Sequence, residues 1–106
     1  MSRITFLTLA LTMFLPGDAP AAEHLITQKN TAFSEAEIKI KRGDSIVFKN
    51  EDLVPHNVFT AAKANQFNSN VQQPGESVTI SFKQEGTAEV RCVMHPTMKL
   101  MVEVKK

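Results

Sequence analysis

The chain has 106 residues, of which 12 are Lys or Arg and 11 are Asp or Glu, so its formal net charge is +1 at pH 7. Proteins that bind nucleic acid or an anionic membrane through surface charge carry a marked excess of Lys and Arg. This composition has no such excess, so it does not favour either class of partner. The length fits one small domain with a thin hydrophobic core, for which a bound metal or a disulfide often adds stability.

The first 21 residues predict a secretory signal peptide. Arg3 supplies a positive charge, residues 4–15 are apolar apart from threonines, and Ala19–Ala21 supplies small residues that a signal peptidase accepts. A membrane anchor is the alternative, but this apolar run is shorter than the roughly 20 residues that span a bilayer as a helix. We therefore expect cleavage near Ala21 and Ala22, export from the cytoplasm, and one soluble domain over residues 22–106.

The remaining chain reads as short strands separated by turn signals. Apolar and polar residues alternate with a period of two, which indicates strands over residues 24–28, 36–41, 45–49, 56–60, 77–83, 87–92 and 99–104. The longest irregular stretch is 61–73, with Phe67 as its one large apolar side chain and room for a helical turn. Turn signals about every 8–12 residues predict an antiparallel β-sandwich or barrel.

Cys92 is the single cysteine of the chain. Small exported domains usually pair their cysteines. Cys92 is therefore an inert buried thiol, half of an intermolecular disulfide, a nucleophile or a metal ligand.

The neighbours of Cys92 favour the metal site. Cys92, His95 and Met98 follow one another with two-residue gaps, in a predicted loop between two strands. Thiolate, imidazole and thioether suit copper, and two histidines, one cysteine and a weak axial methionine form a blue-copper site. The second histidine is His24 or His56, and His56 follows Pro55 at the start of a predicted strand. One alternative is a zinc site, although methionine adds little as a ligand for zinc. The other alternative is that no metal binds and that Cys92 and Met98 are part of the buried core.

Two blocks of sequence resemble the cupredoxins, and most closely the amicyanins within the plastocyanin and azurin family. They are residues 43–50 continued by Pro55–Val58, and Cys92–Met98, whose short gaps match the amicyanin ligand loop. The resemblance implies a Greek-key antiparallel β-sandwich and one copper ion alternating between Cu(I) and Cu(II). It also implies that the copper ligands are His56, Cys92, His95 and Met98.

The same resemblance implies a periplasmic carrier of single electrons, and we expect the protein to be a monomer. Its partners would be redox proteins that dock briefly, with an amine dehydrogenase as donor and a c-type cytochrome as acceptor. A copper carrier or storage protein that delivers metal is the alternative function. An enzyme is not expected, because the ligand set leaves no open coordination position and the sequence shows no acid–base cluster.

Two residues beside the ligands receive roles from the resemblance. The backbone N–H of Asn57 would bond the sulfur of Cys92, and its side chain would tie the ligand loops together. Amicyanins usually have proline before the loop histidine, where this sequence has Met94. Unlike proline, Met94 has an N–H, so we predict a hydrogen bond from it to the Cys92 sulfur that lowers the reduction potential.

An apolar rim around His95, which we expect near the surface, is a candidate docking patch for partners. Its predicted members are Leu53, Val54, Pro55, Phe67, Met94, Pro96 and Thr97. The alternative is that Leu53 and Phe67 close the core.

His24 would be the third residue after cleavage at Ala21. A free amine with histidine third can chelate Cu(II) through backbone nitrogens. The alternative for His24 is an exposed histidine that opens the first strand.

Overall fold

The computed structural model describes residue 5 and residues 20–106, and in residues 20–106 the regular elements are β-strands. Within the described residues, no helix is long and apolar enough to cross a membrane. The predicted signal peptide covers residues 1–21, most of which lie outside the described residues, so it stays a prediction.

The strands form two sheets. The first comprises β1 (Glu23–Lys29), β2 (Ala32–Phe33), β4 (Ser45–Asn50) and β7 (Ser77–Ser81), in the order β2-β1-β4-β7. The second comprises β3 (Glu37–Lys41), β5 (Phe59–Thr60), β6 (Phe67–Asn68), β8 (Gly86–Arg91) and β9 (Lys99–Lys105), in the order β3-β9-β8-β5-β6.

The predicted all-β sandwich is confirmed, but its sheets are mixed where antiparallel sheets were expected. β1 pairs with β4 and β3 pairs with β9 in parallel, while the other strand pairs are antiparallel. Each parallel pair joins strands that are not consecutive in the chain, so the connection between them passes through the other sheet.

Most predicted strands agree with the observed ones to within two residues. The differences are the short strand β2, which was not predicted, and the stretch of residues 56–73. The strand predicted over residues 56–60 is reduced to Phe59–Thr60, and His56 forms an isolated bridge with Gln72. The stretch after it contains the short strand β6 where a helical turn was considered.

The hydrophobic core lies between the inner faces of the two sheets. Alternation along β4 buries Ile46 and Phe48, and alternation along β8 and β9 buries Val90, Leu100 and Val102. Full burial of such a side chain contributes about 1.5–3 kcal/mol. The loop between β8 and β9, residues 92–98, is named the ligand loop, and it is therefore anchored to core strands on both sides.

Asp44 ties the start of β1 to the turn between β3 and β4. Its carboxylate accepts the N–H groups of Ala22 at 2.8 Å and Lys41 at 3.0 Å, and it lies 2.9 Å from His24 Nε2. The His24 contact, helped by these N–H groups, holds the pKa of Asp44 below its ordinary value of 3.8. The ionised carboxylate therefore stabilises the folded state.

Replacing Asp44 with Asn is expected to lower the free energy of unfolding at neutral pH by about 1.5–3 kcal/mol, because hydrogen bonds to a charged group are lost. Since the folded-state pKa is lowered, the wild-type advantage is present above pH 3.8 and disappears as pH falls through the folded value. Thermal unfolding of both proteins over a series of pH values measures this. If the difference in unfolding free energy between the wild type and the variant stays constant into strong acid, the Asp44 charge is not involved.

Candidate metal centre

Three donor atoms from two loops meet at one end of the sandwich. His56 lies between β4 and β5, Cys92 directly follows β8, and His95 lies in the loop between β8 and β9. Their ligand atoms all lie within 4.8 Å of one another. The Cys92 Sγ is 3.8 Å from His56 Nδ1 and 3.7 Å from His95 Nδ1, and the two Nδ1 atoms are 3.1 Å apart.

The two sulfur–nitrogen distances fit one first-row metal ion between the three residues. With bonds of about 2.0 Å to nitrogen and about 2.3 Å to sulfur, a trigonal ion would place sulfur about 3.7 Å from each nitrogen. The observed sulfur–nitrogen distances match this value. Burial also favours the site, since His56 is 0% and Cys92 is 1% exposed.

Met98 is the candidate for a fourth donor, because it lies in the same loop as Cys92 and His95. It directly precedes β9, its side chain is buried, and its N–H donates to the His95 carbonyl oxygen at 3.0 Å. A thioether adds a soft ligand to two imidazoles and a thiolate, a set that suits copper. The structure therefore brings together His56, Cys92 and His95, with Met98 in the same loop.

Asp52 orients the ring of His56, a role that the sequence reasoning missed. Its Oδ2 lies 2.9 Å from His56 Nε2 and also accepts the N–H of Thr31 at 2.8 Å. The Thr31 N–H and then His56 lower the pKa of Asp52 to about 2, so the carboxylate is ionised at neutral pH. An ionised acceptor at Nε2 keeps the proton there and leaves the Nδ1 lone pair free for a metal. The available signal was an acidic residue in the polar turn just before His56.

Asn57 makes the contacts expected from the resemblance. Its N–H lies 3.5 Å from Cys92 Sγ, and its Oδ1 accepts the N–H of Val93 at 2.8 Å. One residue therefore reaches the thiol and also holds the start of the ligand loop.

The hydrogen bond predicted from Met94 to the Cys92 sulfur is absent from residues 20–106 of the structure. The backbone N–H that reaches this sulfur is that of Asn57, and the Met94 side chain is half-exposed. The backbone turns instead through a bond from the His95 N–H to the Cys92 carbonyl oxygen at 3.3 Å. The reason for expecting a lower potential from Met94 therefore falls away.

The predicted rim is exposed except at Pro55 and Phe67. Leu53 is 93% exposed, and Val54, Met94, Pro96 and Thr97 are also exposed, while Pro55 is half-buried. Phe67 packs edge-on against Phe82, with ring centroids 5.9 Å apart, and closes the core. Leu53 does not close the core. Val93, which was not predicted as a member, is also exposed, and His95 is half-buried.

His24 lies away from the three donors. Its ring contacts Asp44, and its backbone belongs to β1, which pairs with β4. The Ala22 N–H is also bonded to Asp44. Chelation of Cu(II) by the processed amino terminus would have to break these contacts.

Comparison with known proteins assigns the family. Residues 21–105 match the copper-binding proteins of the plastocyanin/azurin family. Amicyanin-alpha from Methylorubrum extorquens (strain ATCC 14718 / DSM 1338 / JCM 2805 / NCIMB 9133 / AM1) is 27% identical over 92 residues, covering 83% of this chain and 76% of that protein. The methylamine utilization protein MauL from the same strain is 30% identical over 100 residues, covering 92% of this chain and 86% of that protein.

A solved structure of an amicyanin variant in the Cu(I) form is similar in fold. It superimposes with a TM-score of 0.73 at 21% identity, covering 77% of this chain and 81% of that one. Family, fold and donor set agree on the same metal. The chain therefore belongs to the plastocyanin/azurin family of copper-binding proteins, and copper is its cofactor.

Proposed function

We propose that this protein is a periplasmic type 1 copper protein that carries single electrons between redox partners, with copper held by His56, Cys92, His95 and Met98. The observation that carries the proposal is the triangle of His56 Nδ1, His95 Nδ1 and Cys92 Sγ, with sulfur–nitrogen distances of 3.7 and 3.8 Å. Family membership and the likeness to amicyanin-alpha support it.

The chain's own residues hold a fixed geometry at this site. Asp52 fixes the ring of His56, while Asn57 contacts the Cys92 sulfur and the following backbone. Bound copper supplies the redox step, alternating between Cu(II) and Cu(I). Ligands that are buried and oriented from behind move little when the charge changes, which favours rapid electron transfer.

Electrons would enter and leave near His95, whose ring is the least buried of the three donors. We name the exposed residues Leu53, Val54, Met94, Pro96 and Thr97, with half-buried Pro55, the apolar rim. A small apolar surface suits brief docking with partners. The likeness to an amicyanin and to a methylamine utilization protein supports redox partners in the utilization of methylamine. The donor would then be of the amine dehydrogenase type, and the acceptor would be a c-type cytochrome.

Replacing Met94 with Lys is expected to slow electron transfer with such a partner by about tenfold, because a charge in an apolar contact must be desolvated. The visible absorption of the copper site should be unchanged, since Met94 makes no hydrogen bond to the Cys92 sulfur. Stopped-flow kinetics with a purified partner measures the rate. Leu25→Lys is the matched control, because Leu25 is 60% exposed on β1. Equal slowing in both variants would rule out docking through the rim.

A copper carrier that delivers metal would exchange its copper readily with a competing ligand, whereas an electron carrier retains it in both oxidation states. The test is to cycle the copper-loaded protein between oxidised and reduced states in the presence of a Cu(I)-specific chelator. We expect the visible spectrum to return completely at each oxidation. Transfer of copper to the chelator in the first reduction would overturn the proposal.

A further inference from the structure

The side chain of Arg91 forms a bridge between β8 and the ligand loop, residues 92–98. Its Nη1 donates to Glu89 Oε1 at 2.9 Å, and its Nη2 donates to the carbonyl oxygen of Pro96 at 2.5 Å. Glu89 and Arg91 share the outer face of β8, whereas Val90 and Cys92 are buried on the other face. The guanidinium therefore reaches the loop from outside the core.

The ligand loop is held differently in its two halves. At its start, Asn57 Oδ1 accepts the N–H of Val93. After His95, Pro96 has no N–H to donate, so its carbonyl is its one backbone hydrogen-bonding group, and Arg91 binds that carbonyl. This contact fixes the peptide that joins Pro96 to Thr97, between the two donors of the second half.

We propose that Arg91 is a positioning residue that holds the second half of the ligand loop and so sets how His95 and Met98 present their donor atoms. The inference rests on the proposed copper site for its consequence, but the hold on the loop is a property of the chain alone. The contact between the Met98 N–H and the His95 carbonyl oxygen, at 3.0 Å, lies within the segment that Arg91 would hold.

Arginine suits this position better than lysine. A guanidinium is planar and donates in several fixed directions, so Glu89 can hold one arm while the other points at the Pro96 carbonyl. A lysine ammonium at the end of a flexible stem keeps the charge without this geometry. Arg91→Lys should therefore recover only part of what Arg91→Ala loses.

The test compares amide hydrogen exchange in metal-free wild type, Arg91→Ala and Arg91→Lys. We expect exchange of the Met98 N–H to accelerate about three- to tenfold in Arg91→Ala, the effect of losing one hydrogen bond. Exchange of the Val90 N–H, within β8, should not change. In the Cu(II)-loaded protein, the relative intensities of the visible bands should shift. Lys99→Ala is the charge-matched control, because Lys99 is exposed on β9 and pairs with Arg91 in register.

Wild-type exchange at Met98 in Arg91→Ala would overturn the inference. Equal acceleration in Lys99→Ala, or at Val90, would also overturn it, because local charge or the whole sheet would then be responsible. If wild-type protein fails to bind copper, the proposed function fails, and exchange in the metal-free protein still decides whether Arg91 holds the loop.

Discussion

Cys92→Ser is expected to abolish the intense visible absorption of the copper-loaded protein. This absorption requires a thiolate bound to Cu(II), and Cys92 is the single cysteine of the chain. Copper affinity should fall by more than the roughly 10- to 100-fold that follows the loss of groups behind the ligands. Visible spectroscopy together with the copper content after gel filtration measures both effects.

The fold of the metal-free variant is the necessary control. Cys92 is buried, so the serine hydroxyl costs about 1–3 kcal/mol of stability unless it finds a partner. Circular dichroism shows whether the variant remains folded at the temperature of the experiment. Met101→Leu, which removes a sulfur from a partly exposed position on β9, should keep the full absorption. An intense band that survives in Cys92→Ser would remove the thiolate from the site.

Asp52→Ala is expected to weaken copper binding by about 10- to 100-fold, the usual effect of removing a carboxylate behind a histidine ligand. The carboxylate fixes the His56 ring from Nε2, at 2.9 Å. Without it, the ring can rotate, and the proton can move to Nδ1, where it blocks metal binding. Competition with a chelator of known affinity measures the change.

Glu51→Gln is the matched control for this change. Glu51 is an exposed carboxylate beside Asp52, and its nearest cation is Lys49 at 3.9 Å. The Glu51→Gln variant also loses one negative charge, at nearly the same place as Asp52→Ala. Glu51, however, does not contact the His56 ring. Equal losses of affinity in the two variants would mean that general electrostatic attraction, rather than orientation of His56, explains the role of Asp52.

The sequence predicted the strands well where alternation alone determines them. In β4 and β9, every second residue is buried, so apolar residues recur with a period of two. The strands β2 and β6 have two residues each, which is too short for a periodic pattern. The parallel pairing of β1 with β4 is a long-range property, since local alternation is the same for parallel and antiparallel partners.

In the candidate site too, local features could be predicted from the sequence, whereas long-range contacts could not. The metal site could be predicted from the spacing of Cys92, His95 and Met98, because these three residues lie within one loop and are close in the sequence. The Asp52 contact with His56 depends on the path of the turn between β4 and β5, and the Arg91 contact with Pro96 depends on how the ligand loop folds over β8. The prediction for Met94 was wrong because the sequence shows only that this residue has an N–H where amicyanins have proline. It does not show in which direction that N–H points.

The visible spectrum of metal-free wild-type protein titrated with Cu(II) tests the central claim most directly. We expect an intense thiolate-to-Cu(II) band that grows to one copper per chain, bleaches on one-electron reduction and returns on oxidation. The triangle of donor atoms from His56, Cys92 and His95 predicts this result. A weak spectrum typical of nitrogen and oxygen ligands, or a band that does not return after reduction, would contradict an electron carrier built on these residues.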